Sequence, residues 1–359
     1  MSETCASALR VEEIRPAAMM EAKRSCVIAD REYLLERRDE WVDVDCPACG
    51  EDAAGDYGSK DGFAYVECQD CGTVYTSPRP SLALLERFYA QSKNYAYWNK
   101  HIFPASESAR RERIFKPRVE RLVDYCRQFG FAGGTLLEVG AAFGTFCEEV
   151  RHTGHFERII ALEPTPDLAQ TCRERGFEVW EQPVEKTERS RVADVVAAFE
   201  VIEHLFSPSD FLGHVRRMLK PSGMLVLSCP NVRGFDVSAL REQSSTFDHE
   251  HLNYFHPESL PLLLAREGFT TEVVETPGRL DAELVRGAVM AEHHSLDRQP
   301  FLQTVLLDRW DELGRPFQDF LAQHRLSSHL WVVARRKEPG GDSGGTSNKT
   351  WSEDHDHKA

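Results

Sequence analysis

Cys46-Pro47-Ala48-Cys49 and Cys68-Gln69-Asp70-Cys71 form two Cys-x-x-Cys pairs with 18 residues between them. Two such pairs at this spacing supply the four thiolates of a tetrahedral Zn2+ site. A closed four-thiolate shell leaves no position for water, so the expected role of Zn2+ is folding and docking rather than Lewis-acid catalysis. Disulfide exchange is the competing chemistry, and pairs set in hairpins suit zinc better. The other six cysteines, Cys5, Cys26, Cys126, Cys147, Cys172 and Cys229, stand singly in apolar or helical contexts and read as inert small thiols.

A second constellation runs Leu136-Leu137-Glu138-Val139-Gly140-Ala141-Ala142-Phe143-Gly144-Thr145-Phe146. It ends an apolar strand, turns on glycines and opens a helix, which is where nucleotides bind. Gly140 lets the backbone approach a ligand, and Gly144 permits a tight entry into the helix. Glu138 occupies the place of the first glycine in a dinucleotide fingerprint, which counts against NAD and FAD. The next strand, Arg158 to Leu162, ends in Glu163, an acid about 20 residues beyond the turn that can accept hydrogen bonds from both ribose hydroxyls. A helix-capping acid at the surface is the alternative for Glu163.

A third runs Phe247-Asp248-His249-Glu250-His251-Leu252-Asn253-Tyr254-Phe255-His256-Pro257 and carries more titratable groups than any other loop. Histidine has an unperturbed pKa of about 6.5, which suits a general base at neutral pH. His251 is the first candidate, with Glu250 orienting it or holding a substrate hydroxyl. Packing of the following helix start is the plainer role for the same residues.

The pattern Glu138-x-Gly140-x-x-x-Gly144-x-Phe146 resembles the first motif of class I S-adenosylmethionine methyltransferases. Asp194 to Phe199 followed by Glu200-Val201-Ile202-Glu203-His204 is similar to that family's motif after the fourth strand. Lys220-Pro221-x-Gly223 before an apolar strand ending in Pro230-Asn231 completes the set in the right order. The resemblance implies S-adenosyl-L-methionine held by Glu138, Gly140, Ala142, Phe143 and Gly144, with Glu163 and Pro164 at the ribose. It puts the adenine near Gln182, Pro183 and Val184, and Phe199, Glu200 and His204 beside the cofactor. The cysteine pairs, the tyrosine-rich segment and Glu250-His251-x-x-Tyr254-Phe255 together resemble deoxysugar C-methyltransferases over about residues 46 to 275. Those enzymes draw a tyrosine of the linking segment into the site, a place Tyr95, Tyr97 or Tyr89 can fill; Tyr95 is carried forward. Beyond residue 275 the chain departs from them, because they continue into a further C-terminal domain.

Positioning these groups requires short apolar strands alternating with helices. Strands are expected at Thr135–Val139, Arg158–Leu162, Phe177–Trp180, Ala193–Phe199, Met224–Ser228, Thr270–Glu275 and Leu330–Arg335. Helices are expected at Thr145–His152, Pro166–Arg175, Ser209–Leu219 and Pro257–Glu267, each with turn or capping residues at its start. The fold class is therefore α/β, a Rossmann-like doubly wound seven-stranded sheet with a small N-terminal zinc ribbon and a helical insertion. Residues 1–40 are an extension with no legible function and one short expected helix, Arg31 to Trp41. Residues 41–80 are the ribbon, 81–130 a helical linking segment, and 131–337 the S-adenosylmethionine-dependent domain, with its insertion at 282–326. Residues 338–359, rich in Gly, Ser, Asp and Lys, are an expected disordered tail that includes an Asn348-Lys349-Thr350 glycosylation pattern and His355 and His357.

The chain has 43 Lys and Arg against 58 Asp and Glu, a net charge of -15. Clustered cations are what hold a phosphate backbone, so nucleic acid is an unexpected partner. The ribbon agrees: Asp43, Asp45, Glu51, Asp52, Asp56, Asp61, Glu67 and Asp70 stand against Lys60 alone. No apolar run reaches the roughly 20 residues of a membrane span, and Met1 to Arg15 lacks a signal-peptide core, so a cytoplasmic protein without a membrane partner is expected. A small-molecule substrate is the expected partner. A homodimer is a further expectation, with the insertion as its candidate interface. Arg286, His293, His294, Asp297, Arg298 and Arg309 in that insertion read as a solvated helix face, with a lid or an anion site as the alternative.

Overall fold

The computed structural model describes residues 10–338. Cys5, the Asn348 pattern, His355, His357 and all of the expected tail except Glu338 lie outside them. Three ribbon strands, β1 (Ala54–Lys60), β2 (Phe63–Cys68) and β3 (Val74–Thr76), are followed by β4 (Thr135–Val139), β5 (Arg158–Leu162), β6 (Glu178–Trp180), β7 (Ala193–Phe199) and β8 (Leu219–Pro230). A two-residue strand, β9 (Asn253–Tyr254), then precedes β10 (Phe269–Glu275) and β11 (His329–Arg336).

The central sheet has seven strands in the order β10-β11-β8-β7-β4-β5-β6. All are parallel except β11, which runs antiparallel to both of its neighbours. Alternation along each strand decides which face a residue serves. Leu137, Val139, Val196, Leu225 and Leu227 pack with Phe211, Val215, Leu260 and Leu264 on one face. Leu136, Val195, Ala197, Phe199 and Val226 pack with Leu122, Cys126, Phe146 and Val150 on the other. Order reverses between β4 and β7, and ligands of open α/β sheets bind at the carboxyl ends of strands at such a switch point.

The expected strands are present, with ends moved by a few residues; β8 is much longer than Met224–Ser228 because its start continues through Lys220 and Pro221. The expected helices form as Thr145–Thr153, Pro166–Glu174, Pro208–Met218 and Ser259–Arg266. Two expectations need correction. The short helix at Arg31 to Trp41 is instead the 19-residue helix Ala17–Leu35, whose sequence lacks a clean apolar period. Its buried Asp30 and Leu34 are held by tertiary partners, so propensity alone does not mark it. The ribbon, expected over residues 41–80, also takes a strand from outside those bounds. Its sheet has the order β9-β3-β2-β1, with Asn253 opposite Tyr75 and Tyr254 opposite Val74, so its fourth strand comes from the His251 loop.

The insertion forms Asp281–Met290 and Trp310–Gln323 around a separate apolar cluster that includes Val285, Leu296 and Leu306. No helix among the described residues is long and apolar enough to cross a membrane.

Candidate active site

The glycine turn joins β4 to the helix Thr145–Thr153. Gly140 and Gly144 have φ of 73° and 69°, which side chains with a Cβ rarely adopt. A Cβ on Gly140 would lie 2.9 Å from Val201 Cγ2, and one on Gly144 would lie 3.0 Å from Cys172 Sγ. Ala142 between them also has positive φ, 48°, a strained turn that its neighbours must hold. Glu163 holds it: Oε2 accepts from Ala142 N at 2.8 Å and Oε1 from Thr165 N at 2.9 Å. Glu163 is buried at the end of β5; burial pushes its carboxyl up, and the two backbone donors oppose that. Each oxygen takes one backbone donor and keeps room for a hydroxyl donor, so the residues present fit the nucleoside of S-adenosylmethionine.

Glu138, on β4, is 5% exposed and accepts from Cys147 Sγ at 3.0 Å. Burial pushes its carboxyl up to about 8. Phe143 is stacked on Phe103 of the linking segment, with ring centroids 4.0 Å apart. The segment is also clamped by charge, since Arg111 pairs with Glu148 and Glu149, and Arg175 pairs with Glu107 and Glu148. The helical link therefore lies over the glycine turn as a wall. Pro164 is exposed beyond Glu163. Val184 is 4% exposed and packs into the core beside Trp180, so its side chain supports the loop from within.

At the end of β7, Phe199 packs between Phe146 and Trp331, and the Arg118 guanidinium lies 4.4 Å from its ring centroid. Glu200 has φ 55°, accepts from Ser228 Oγ at 2.7 Å and stands 3.6 Å from His329 Nδ1. Its side chain keeps 41% exposure, so it borders a cleft open to water at the carboxyl end of the sheet. Desolvation works against ionisation of Glu200, but His329 and Arg118 prevail and hold it below its ordinary range.

The His251 loop faces this cleft. His251 Nδ1 lies 2.7 Å from Thr246 O. A carbonyl only accepts, so Nδ1 carries the proton and Nε2 keeps a lone pair. His204 repeats the arrangement, with Nδ1 3.0 Å from Glu250 O; burial lowers it to about 4, so its ring is neutral. Between them Glu203 is 1% exposed, and neither of its oxygens has a hydrogen-bond partner. Burial and the neighbouring Glu200 charge push its carboxyl well above the usual range. One ligand atom from each of Glu203, His204 and His251 falls within 4.8 Å of the others, a set able to hold a proton or a cation. The orienting group for the His251 ring is thus Thr246, while Glu250 Oε1 accepts from Asn94 Nδ2 at 2.9 Å.

Among the three tyrosines, Tyr95 lies near Glu163, Thr165, Asn99 and Glu250, and burial pushes its hydroxyl up to about 12. Tyr89 is half-buried, with its hydroxyl buried and unpartnered near Glu250, and Tyr97 packs on His101. Sequence reasoning missed the extension. Asp30 accepts from Ser92 Oγ at 2.6 Å, Lys93 N at 2.9 Å and Asn94 N at 2.8 Å, capping the helix that carries Tyr95. An aspartate in a helix of weak amphipathic pattern gives no local signal of that contact.

Cys46 Sγ and Cys71 Sγ are 3.5 Å apart, Cys49 Sγ and Cys68 Sγ are 3.4 Å apart, and all four sulfurs lie within 4.8 Å of one another. Zn–S bonds of about 2.3 Å in a tetrahedron require sulfurs about 3.8 Å apart, so the cluster fits such an ion. Cys46 and Cys68 join the core of the central sheet, and His256 Nε2 donates to Cys71 O at 2.9 Å. Arg79, 1% exposed, donates to Thr76 O, Phe206 O and Asn253 Oδ1, while Asn253 Nδ2 donates to Leu205 O at 2.7 Å. Ribbon, Glu203 turn and His251 loop are thereby one hydrogen-bonded unit.

A family model described as a methyltransferase domain matches residues 108–274. Over 151 residues the chain is 29% identical to a ubiquinone biosynthesis O-methyltransferase of Caulobacter vibrioides, covering 38% of this chain and 60% of that protein. A protein of the same name from Maricaulis maris is 32% identical over 120 residues, covering 30% of this chain and 46% of that protein. The chain thus spans about half the length of these curated relatives. An S-adenosylmethionine-dependent methyltransferase from Mesorhizobium loti superposes with a TM-score of 0.39 at 16% identity, covering 57% of this chain and 92% of that one. Residues 108–274 thus match a methyltransferase domain and lie on a Rossmann-like α/β fold.

Proposed function

We propose that the protein transfers a methyl group from S-adenosyl-L-methionine to a nucleophilic atom of a small-molecule acceptor, with His251 as general base. The observation that carries this reading is the convergence of Glu163, Tyr95, Glu250 and His251 on one cleft beside the glycine turn. S-adenosylmethionine supplies an electrophilic sulfonium methyl. Gly140, Ala142, Phe143 and Gly144 would cradle it, Glu163 would accept from the ribose hydroxyls, and Glu138, Pro164, Val184, Phe199, Glu200 and His204 would shape the rest of its site. His251, with its proton fixed on Nδ1 toward Thr246, presents Nε2 to remove the acceptor's proton as the new bond forms. Glu250 and Tyr95 position the acceptor, and the stacked linking segment excludes water from the transfer.

An oxygen acceptor is supported by the similarity to ubiquinone biosynthesis O-methyltransferases. A sugar acceptor rests on the Glu250-His251-x-x-Tyr254-Phe255 resemblance alone. For the cysteine cluster we propose structural Zn2+: the ribbon sheet takes β9 from the acceptor loop, which supports a docking role within this chain over recruitment of a separate partner.

The test pairs binding with turnover. Calorimetry should show S-adenosylmethionine binding to the wild type and its loss, at least about tenfold, in Glu163→Ala, where two backbone donors and the ribose lose a charged acceptor. His251→Gln should bind cofactor normally but turn over acceptor at about one hundredth of the wild-type kcat or less. Cofactor binding unchanged in Glu163→Ala would overturn the assignment of the site, and undiminished kcat in His251→Gln would overturn the assignment of the base.

A further inference from the structure

Among the described residues Glu203 is the acid whose two carboxylate oxygens are both buried and both without a hydrogen-bond partner; the residue is 1% exposed. A carboxyl group taken out of water with nothing to bond is costly, and a bound cation removes that cost.

Two imidazoles meet it. His204 and His251 come from different segments, yet their ring centroids are 4.6 Å apart, edge to face. Each Nδ1 is spent on a backbone carbonyl, Glu250 O at 3.0 Å for His204 and Thr246 O at 2.7 Å for His251. Each ring therefore keeps its lone pair on Nε2. Histidine ligates metals in this arrangement, because the carbonyl behind the ring fixes its tautomer and orientation. One ligand atom from each of Glu203, His204 and His251 lies within 4.8 Å of the others. Around a tetrahedral ion with bonds of about 2.0–2.1 Å, ligand atoms stand about 3.4 Å apart, so a small side-chain adjustment closes the three on one ion.

The backbone beneath these groups is held in place. Asn253 Nδ2 donates to Ile202 O at 3.2 Å and Leu205 O at 2.7 Å, and Leu252 N donates to Glu203 O at 2.8 Å. Asp248 Oδ1 accepts from His251 N at 3.0 Å. The turn that carries Glu203 and His204 and the loop that carries His251 are thus fixed to one another before any ligand arrives. Both imidazoles are half-buried, and Glu200 of the same turn borders the open cleft, which gives an ion its path inward. A second group of similar spacing, Asp30, His249 and Glu250, differs in that its carboxylates are already spent on Ser92, Lys93 and Asn94.

Two imidazole nitrogens and one carboxylate oxygen suit Zn2+ and its first-row neighbours better than Mg2+ or Ca2+, which take shells of oxygen. We propose that Glu203, His204 and His251 bind a first-row divalent transition-metal ion, at a site separate from the four-cysteine cluster and open to the cleft. Three protein ligands leave at least one position for water. The ion uses the His251 lone pair that also serves as base, so metal and acceptor proton compete for it. That consequence rests on the methyl-transfer reading; the site does not.

The experiment uses the full chain carrying one equivalent of Zn2+ in the cysteine cluster and titrates it with Co2+, followed by calorimetry and visible absorption. Wild-type protein should take up one further Co2+, with the absorption of nitrogen and oxygen ligation and no thiolate-to-cobalt charge-transfer band. Glu203→Gln and His251→Gln should each weaken that binding by at least about tenfold, since loss of a ligand costs no less than loss of its orienting partner. His152→Gln removes an imidazole whose side chain is 61% exposed and should leave Co2+ affinity unchanged, which separates this site from surface adsorption. Uptake of no Co2+, uptake only by exchange into the thiolates, binding by both ligand variants equal to wild type, or equal weakening by His152→Gln would overturn the proposal. S-adenosylhomocysteine is titrated in a parallel arm, and its failure to bind wild type would instead overturn the methyl-transfer reading.

Discussion

Glu138 is a carboxyl group on a central strand with a thiol as its hydrogen-bond partner, and its folded value of about 8 lies above the ordinary 4.5. Below about pH 4.5 both folded and unfolded chains carry the proton, and nothing is lost. As pH rises toward 8 the unfolded chain releases a proton that the folded chain retains, so folding becomes progressively less favourable. The Tm of cofactor-free protein should therefore fall between pH 5 and 8 by several degrees, on the order expected for one carboxyl held protonated in a core. Glu138→Gln should flatten that fall, which differential scanning calorimetry across the range would check. An unchanged slope would mean that the carboxyl is ionised in the fold. Glu138 was legible in the sequence by its spacing from Gly140, but its protonation was not, because spacing does not report burial.

At the level of elements, the helix Lys93–Tyr97 has only five residues and no stability of its own. Asp30 supplies its N-terminal acceptor from 62 residues away, and Asn94 in its first turn carries the contact on to Glu250. Asp30→Ala should cost about 1–2 kcal/mol in chemical denaturation, the range for a lost cap. Asp30→Asn, which keeps one acceptor oxygen, should recover part of it. Acceptor KM should rise in Asp30→Ala, since Tyr95 and Glu250 lose their common brace, whereas a purely local cap would leave KM alone. The strands of the central sheet were readable from runs such as Ala193 to Phe199, where apolar residues serve two faces. The helix Ala17–Leu35 was not, because its contacts with the linking segment are what select its buried side.

For the whole molecule, the cysteine cluster, the acceptor loop and the turn after β7 share one network through Arg79, Asn253 and His256. Removing Zn2+ with a strong chelator, or making Cys46→Ser, should lower thermal stability by several kcal/mol equivalent, as loss of a structural four-thiolate site does. Turnover should fail before cofactor affinity, because β9 and the His251 loop depend on the ribbon while the glycine turn is built from β4, β5 and the helices beside them. Calorimetric S-adenosylmethionine binding with and without chelator would check this. Equal loss of both activities would show instead that the ribbon supports the entire domain.

The sequence alone determined those features in which chemistry and spacing are local: the four cysteines, the glycine turn, Glu163 at the end of its strand, and the alternation of strands and helices. Each is specified by residues within a turn or two of one another, so residue type and interval suffice. Only the tertiary structure decided that the ribbon borrows a strand from the acceptor loop and that Thr246 orients His251. It alone shows Asp30 bracing Asn94 from an extension with no motif. Those contacts join segments tens to hundreds of residues apart through backbone pairing and buried charge, for which no short-range pattern in the chain has to exist.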